Sequence, residues 1–366
     1  MRFSLTREVL LKPLQQVVSV VEKRQTMPVL SNLLVSLEQG VLSLTATDLE
    51  VEMVARVGCA DGEPGAITVP ARKFFEIVRA LPDGVMVSVN VTGDRIAVNA
   101  GRSRYTLAGL SADEYPSSEE AEVVERLRLS EGALKKAFDA TAFAMAQQDV
   151  RFYLNGLLLD AEGNTLRCVA TDGHRLAMSE TDLAAGPQVK RQIIVPRKGI
   201  LELLRLLESA DREIELELGR SHLRFRRDDV SFSTKLIDGR FPDYEAVIPL
   251  GADKEARVER DVLRAALQRA VILSNEKYRG IRLEIDSGVM RVIAHNPEQE
   301  EAVEEVEAET EISGLSIGFN ASYLLDALAA LSEPQALLLF RDSGSSALVR
   351  EPSHARNRHV VMPMRL

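Results

Sequence analysis

The chain has 366 residues, of which 45% are hydrophobic, and a formal charge of −10, so it can bury two or three domain cores but has no overall attraction for phosphates. No run approaches the roughly 18 consecutive apolar residues of a membrane span. The N-terminal stretch is broken by Arg7, Glu8 and Lys12, unlike a secretory signal, and Cys59 and Cys168 form no CxxC, so a reduced cytoplasmic protein is expected.

In chain order, residues 7–24 place Leu10, Leu14, Val17 and Val21 at helical spacing, with Pro13 inside the pattern, where it is expected to bend or delay the helix. The period then switches to two, with Val51, Met53, Ala55 and Val57 alternating against more polar neighbours. A second helix is predicted within ITVPARKFFEIVRAL (67–81). Val85, Val87, Val89 and Val91 follow as a strand that turns at Thr92-Gly93-Asp94.

The same succession then begins again. Residues 130–148 read as a helix, 166–178 as strands, 193–207 as a strand and helix, and Ile214, Leu216 and Leu218 as a strand turning at Leu218-Gly219-Arg220. A third pass runs through helical 259–277, strand-like 290–302 and IGFNASYLLDALAAL (317–331).

Spacing ties the passes together. Ala46, Ala170 and Ala294 are 124 apart, as are Asp48, Asp172 and Asn296, while Tyr115-Pro116 and Phe241-Pro242 are 126 apart. Agreement of several segments in one order at one spacing marks a triplicated unit. Each unit is helix, strands, helix, hairpin strands, which gives an α+β fold of antiparallel sheets with helices on one face. Polar linkers near 120–128 and 247–256 suggest domains at 1–123, 124–251 and 252–366.

Charge is divided unevenly. The six helical segments together carry +5, leaving −15 for everything else. Helices lining one surface would make it basic while the strands stay acidic. The basic residues are dispersed and few aromatics accompany them, which suits weak, sequence-independent phosphate contact better than a single-strand groove. Weak contact cannot retain DNA at physiological salt, so a DNA-binding reading calls for encirclement.

TDGHRL (171–176), VPRKG (195–199), DGRFPDY (238–244), SNEKYRG (274–280), NPEQEEA (296–302) and the terminal VVMPMRL (360–366) together resemble the bacterial DNA sliding clamp, the β subunit of DNA polymerase III, along essentially the whole chain. The resemblance implies three clamp-type helix/antiparallel-sheet domains, two copies closed head to tail into a ring, helices lining the hole, and a nucleoid-associated protein of the cytoplasm. It also implies a processivity factor in DNA replication that holds duplex DNA without reading its sequence. Its partners would be the polymerase III catalytic subunit, the clamp loader, other polymerases and repair proteins, all docking through short hydrophobic peptides.

Carried over residue by residue, the peptide cleft comprises Leu154, Thr171, Gly173, His174, Arg175 and Leu176, then Pro242, Val247 and Tyr278. Asn320, Tyr323 and the tail residues Val360, Met362, Pro363, Met364 and Arg365 complete it. Methionines are adaptable, which suits one groove serving several ligands. The chain departs from its relatives at Ala246, where a basic residue is common, and at Gly344, where an apolar one is.

DNA contacts carry over to Arg24 and Lys198; Arg72 and Arg79 are added from helix position, and Gln148, Tyr153 and Arg197 are further candidates. At the ring seam the resemblance pairs Tyr105 and Leu107 with Ile272 and Leu273. Lys73, Arg102 and Arg104 in the first unit face acidic Glu298, Glu300, Glu301, Glu304 and Glu305 in the third, which would orient the contact.

Nothing points to catalysis. GxxxxGK[ST], HExxH and GxSxG are absent, the histidines lack metal-ligand spacing, and His174 has no nucleophile motif beside it. No cofactor or metal is expected. A carboxylate-metal nuclease and a peptide-binding scaffold without a DNA role remain as rivals. The scaffold would explain the cleft but not the basic helices.

Overall fold

The computed structural model describes residues 1–22, 27–116, 122–227 and 229–365. The element order repeats three times. The first pass is β1 (Arg2–Thr6), α1 (Arg7–Val17), β2 (Asn32–Glu38), β3 (Val41–Thr47), β4 (Val51–Gly58), β5 (Gly65–Pro70), α2 (Ala71–Ala80), β6 (Met86–Thr92), β7 (Arg95–Ala100) and β8 (Ser103–Ala108). The second is β9 (Val123–Ser130), α3 (Glu131–Asp139), β10 (Gly156–Glu162), β11 (Thr165–Thr171), β12 (Arg175–Asp182), β13 (Arg191–Pro196), α4 (Arg197–Leu206), β14 (Glu213–Gly219), β15 (His222–Arg227) and β16 (Val230–Lys235). The third is β17 (Lys254–Glu259), α5 (Arg260–Ala270), β18 (Gly280–Asp286), β19 (Val289–His295), β20 (Glu301–Glu307), a two-residue β21 (Glu309–Thr310), β22 (Leu315–Asn320), α6 (Ala321–Ala329), β23 (Gln335–Phe340), β24 (Ala347–Arg350) and β25 (Asn357–Val361).

The helices form where the apolar spacing predicts them, on the face that buries. In α2, Ala71, Phe74 and Val78 are buried while Arg72, Lys73 and Arg79 are exposed. Removing a ring such as that of Phe74 from a core costs about 3–5 kcal/mol. α1 runs through Pro13, which is buried and forgoes one backbone hydrogen bond.

The opening helices are shorter than the apolar pattern. Segments 7–24, 130–148 and 259–277 form α-helix only to Val17, Asp139 and Ala270, the second and third adding a short 3-10 turn at Ala142–Ala144 and Val271–Leu273. Soon after each end a hydroxyl donates back to a carbonyl: Ser19 to Gln16, Thr141 to Ala137 and Ser274 to Val271. Such back-bonding competes with helix propagation. Val20, Val21, Ala144 and Met145 remain buried beyond the helices, so the hydrophobic pattern outruns the secondary structure.

Backbone contacts gather into two compact units, and the division does not follow the repeats. One comprises Met1–Arg128, Leu201–Leu207 and Glu213–Leu236; the other comprises Leu129–Ile200, Glu208–Arg212 and Ile237–Leu366. Strand pairing accounts for this. In the first unit β16 pairs antiparallel with β4, joining the close of the second repeat to the first in an eight-stranded sheet ordered β5-β2-β3-β4-β16-β15-β14-β9. In the second, β25 pairs antiparallel with β12 in a nine-stranded sheet ordered β13-β10-β11-β12-β25-β24-β23-β17-β21. Each unit also has a four-stranded sheet, β1-β6-β7-β8 in the first and β20-β19-β18-β22 in the second. Among the described residues no helix is long and apolar enough to cross a membrane.

Candidate functional site

The turn between β11 and β12 is built by TDGHR itself. The Thr171 hydroxyl donates to the Arg175 carbonyl at 2.6 Å and accepts from the Gly173 N–H. Asp172 Oδ1 accepts from the N–H groups of His174 and Arg175. Gly173 sits at φ +87°, and a Cβ there would meet the Arg151 guanidinium at 2.9 Å. The positive φ favours glycine, while the guanidinium, at the end of a flexible side chain, sets the weaker demand.

This turn aims Arg175 inward, where its guanidinium is held on all sides. It donates to Asp172 Oδ2 at 3.1 Å, to Asp326 Oδ2 at 2.5 Å and to the Phe143 carbonyl at 2.8 Å. It also lies 4.7 Å from the Tyr323 ring centroid and 5.3 Å from that of Phe143. His174 is exposed and stacks on the other aromatic of this group, Tyr323, at 6.5 Å and 16°. It therefore forms part of a wall.

Beside this polar group lies an apolar floor. Leu154, Leu176, Val360, Met178 and Phe241 belong to one buried cluster, against which Val247 and Tyr153 pack. β25 supplies Val360, opposite Leu176 on β12. The chain then continues past β25: the Met362 N–H donates to the His174 carbonyl at 3.0 Å, and the Met364 N–H to the Gly318 carbonyl at 2.9 Å. Met362, Pro363 and Met364 stay half-buried and Arg365 is exposed. Asn320 is fixed as the N-cap of α6, accepting from Ser322. Pro242 is exposed directly after Phe241, and Tyr278 is exposed with Lys277 over its ring.

The sequence reading thus brings Leu154, Leu176, Val247 and Val360 into one floor, and Arg175, Tyr323 and His174 into one wall. It missed Phe143 and Asp326, which hold Arg175. Asp326 is the single charged residue of α6, and a lone carboxylate in an apolar helix is the signal that could have revealed it. Asp326→Asn keeps the shape and removes the charge. Because Asp326 is 45% exposed, the charged hydrogen bond is discounted to about 1 kcal/mol. Binding of an apolar peptide in calorimetry is then expected to weaken roughly fivefold; unchanged affinity would show that Arg175 needs no such anchor.

His359, also in β25, is 1% exposed, and among the described residues neither ring nitrogen has a hydrogen-bond partner. Burial pushes its pKa down to about 4. Folding therefore favours the neutral ring, and this contribution, present above the unfolded value near 6.5, is lost as pH falls through 4. The full shift corresponds to about 3 kcal/mol. Between about pH 7 and pH 4.5 the melting temperature should fall more steeply in the wild type than in His359→Leu. Parallel curves would assign the acid lability elsewhere.

The DNA candidates are less uniform than the sequence suggested. Arg72 and Arg79 are exposed on α2, the first donating to the Val21 carbonyl and the second lying over Phe75. Gln148 is exposed at φ +55°, and next to it Val150 and Phe152, which the sequence reading did not single out, are 96% and 55% exposed. Lys198 is half-buried in α4. Tyr153 packs against the apolar floor, and Arg197 donates to the Met145 carbonyl with its pKa lowered by burial and by Arg175, so both are substantially engaged within the fold. Arg24 lies outside the described residues.

At the expected seam, Tyr105 is 37% and Ile272 75% exposed, whereas Leu107 is buried within its own sheet. Lys73, Arg102, Arg104 and Glu298 are exposed. Glu304 already pairs with Arg269, Glu305 with Arg291 and Glu300 with Asn296. The acidic run is thus partly neutralised at home.

Comparison with known proteins agrees over the full length. Residues 1–119, 128–243 and 245–365 match the N-terminal, central and C-terminal domains of the DNA polymerase III beta subunit. The Beta sliding clamps of Pseudomonas aeruginosa and Escherichia coli K12 are 52% and 45% identical, each with both chains covered in full. A crystal structure of the Pseudomonas aeruginosa DnaN clamp bound to griselimycin superposes with TM-score 0.96 at 52% identity, covering 100% of both chains. A Caulobacter crescentus clamp, with PEG bound to a putative beta-motif tethering region, does so at 0.93 and 38%, again covering both chains in full. With a triplicated fold, the TDGHR turn and full-length likeness in agreement, the chain belongs to the DNA polymerase III beta subunit family, the sliding clamps, which are non-catalytic processivity subunits.

Proposed function

We propose that two copies of this chain close head to tail around duplex DNA, and that the cleft at β12 and β25 takes extended hydrophobic peptides of the replicative polymerase, the clamp loader and other DNA-processing proteins. Three domains, 1–123, 124–251 and 252–366, would make up each half of the ring. Arg72, Arg79, Gln148, Tyr153, Arg197 and Lys198, with Arg24, would supply sequence-blind contacts to DNA, chiefly to phosphate.

The observation that carries the ring is the pair of sheet edges left over by the repeat. β4 and β12 are each paired by the last strand of a later repeat, while β20, their counterpart in the third repeat, ends its sheet. β8, the counterpart of β16 and β25, ends its sheet as well. Exposed edges of this kind are templates for pairing.

The repeat also gives a register. Met53, Ala177 and Ala302 face Ala46, Ala170 and Ala294 across their hairpins. Phe232 and His359 face Met53 and Ala177 across the seams, and Tyr105 occupies their place in β8. Tyr105 of one copy would then lie opposite Ala302 of the other, and Arg102 opposite Glu305. A heterologous contact that closes after two copies gives a ring instead of a filament.

The test is retention. Protein loaded on nicked circular DNA should stay bound through a salt wash and be released when the circle is cut. Equal release from circle and linear DNA would reject encirclement, and DNA cleavage with magnesium that survives repurification would favour the nuclease rival.

A further inference from the structure

The seam between β4 and β16 is, by repeat position, the counterpart of the seam that floors the peptide cleft, but its chemistry is inverted. At β12 and β25 the outer positions Val169, Leu176, Met178, Leu348 and Val360 are apolar. Their counterparts are Thr45, Glu52, Val54, Arg224 and Ser233, so a single apolar side chain is kept. These five line a groove of about 690 Å³ with Tyr115 and Pro116 at one side, where the cleft has Phe241 and Pro242.

The groove is a trough of small hydroxyls between charged banks. Ser233 lies opposite Arg224 on β15 and Glu52 on β4; Ser231 lies opposite Arg226 and Val54. Arg56 reaches across to Ser231 Oγ at 3.0 Å, and Arg227 completes the lining. Four arginines thus face one glutamate. Two acids flank the trough, but each is shared with a second cation: Glu217 with Arg126 and Arg226, and Asp229 with Lys12 and Arg227. A positive surplus remains.

Arginine prefers carboxylates because its planar fork can make two parallel hydrogen bonds. Arg224 and Arg226 project from the same face of β15 about 7 Å apart, the spacing of alternate side chains in an extended strand. We propose that this trough is a second docking groove, for an extended segment of a protein partner that carries acidic side chains. The idea that a seam of this repeat takes extended peptides comes from the function proposed above; the arginines and their placement are independent of it.

The experiment separates the two readings by titrating the full-length protein into two fluorescein-labelled peptides, followed by anisotropy. One peptide alternates Asp and Glu with Ser; the other is uncharged with leucines and a phenylalanine. The acidic peptide is expected to bind the wild type at low salt and at least tenfold more weakly to Arg224→Glu/Arg226→Glu, which should bind the apolar peptide normally. Removal of residues 362–366 should have the opposite pattern. Equal acidic-peptide binding by wild type and the charge-reversed protein overturns the proposal. So does a short oligothymidylate that binds more tightly than the peptide with the same arginine dependence, because the occupant would then be nucleic acid. Should charge reversal disturb the sheet, Arg224→Gln/Arg226→Gln serves instead, and an unchanged melting curve with unchanged acidic-peptide affinity overturns the proposal equally. Loss of apolar-peptide binding alone, in the wild type, rejects the cleft and leaves the acidic groove supported by its own data.

Discussion

Removal of Met362 to Leu366 is expected to weaken binding of a leucine- and phenylalanine-bearing peptide about ten- to hundredfold while leaving fold and assembly intact. The two effects separate because of where β25 ends. Its ladder to β12 and β24 closes at Val361, so the sheet keeps every strand. The deleted segment is held by two described backbone hydrogen bonds, to His174 and Gly318, and none of its described residues belongs to the buried core clusters. What disappears is the edge of the groove: two half-buried methionines and a proline, tied to the His174 and Gly318 carbonyls. Full burial of one such side chain contributes about 1.5–3 kcal/mol. Covering the exposed halves of two such side chains gives about 1.5–3 kcal/mol in total, or roughly one to two orders of magnitude in affinity. Calorimetry with the peptide, alongside sedimentation for assembly, reads both halves of the expectation. Undiminished heat would place the binding surface elsewhere.

The cleft was partly legible in the sequence for a physical reason. Thr171, Asp172, Gly173 and Arg175 satisfy one another within five residues, so a local motif carries the whole turn. The partners that complete it are remote: Asp326 is 151 positions from Arg175, and Phe143 is 32. No local pattern links them. The same distinction governs the helices. Their buried faces follow from periodicity, but their ends depend on single hydroxyls such as Thr141, which turn the chain while burial continues. The triplication was plain because one spacing recurs along the chain. The inverted chemistry of the first seam was not, because it emerges only once β16 is known to pair with β4. Tyr153 and Arg197 were chosen by residue type and position, and neither of those signals shows that the fold also engages both with its own atoms.

The second large effect concerns assembly. Ile272→Ala with Leu273→Ala is expected to split the proposed head-to-tail dimer without unfolding the chain. Ile272 is 75% exposed in the turn after α5, and Leu273 is half-buried, so neither is a main support of the core. An exposed isoleucine just after α5, the helix that packs against β20, is what a partner copy would cover. Leu107, the other leucine assigned to the seam, suits the test less well, because it is buried already and its truncation would destabilise the chain itself. If the seam fully buries Ile272, the loss is about 1.5–3 kcal/mol for each seam. A closed ring of two copies has two identical seams, so the dissociation free energy falls by about 3–6 kcal/mol, or roughly two to four orders of magnitude in dissociation constant. The salt links contribute far less, because Glu304 and Glu305 must be shared with Arg269 and Arg291 and such rim pairs are screened. High salt should therefore loosen the ring less than the two truncations do. Sedimentation at nanomolar concentration measures the first effect, and a melting curve confirms that the monomer is folded. A double variant that stays dimeric at that dilution would mean that the edges of β8 and β20 close the ring without this turn, or that the copies meet through another surface.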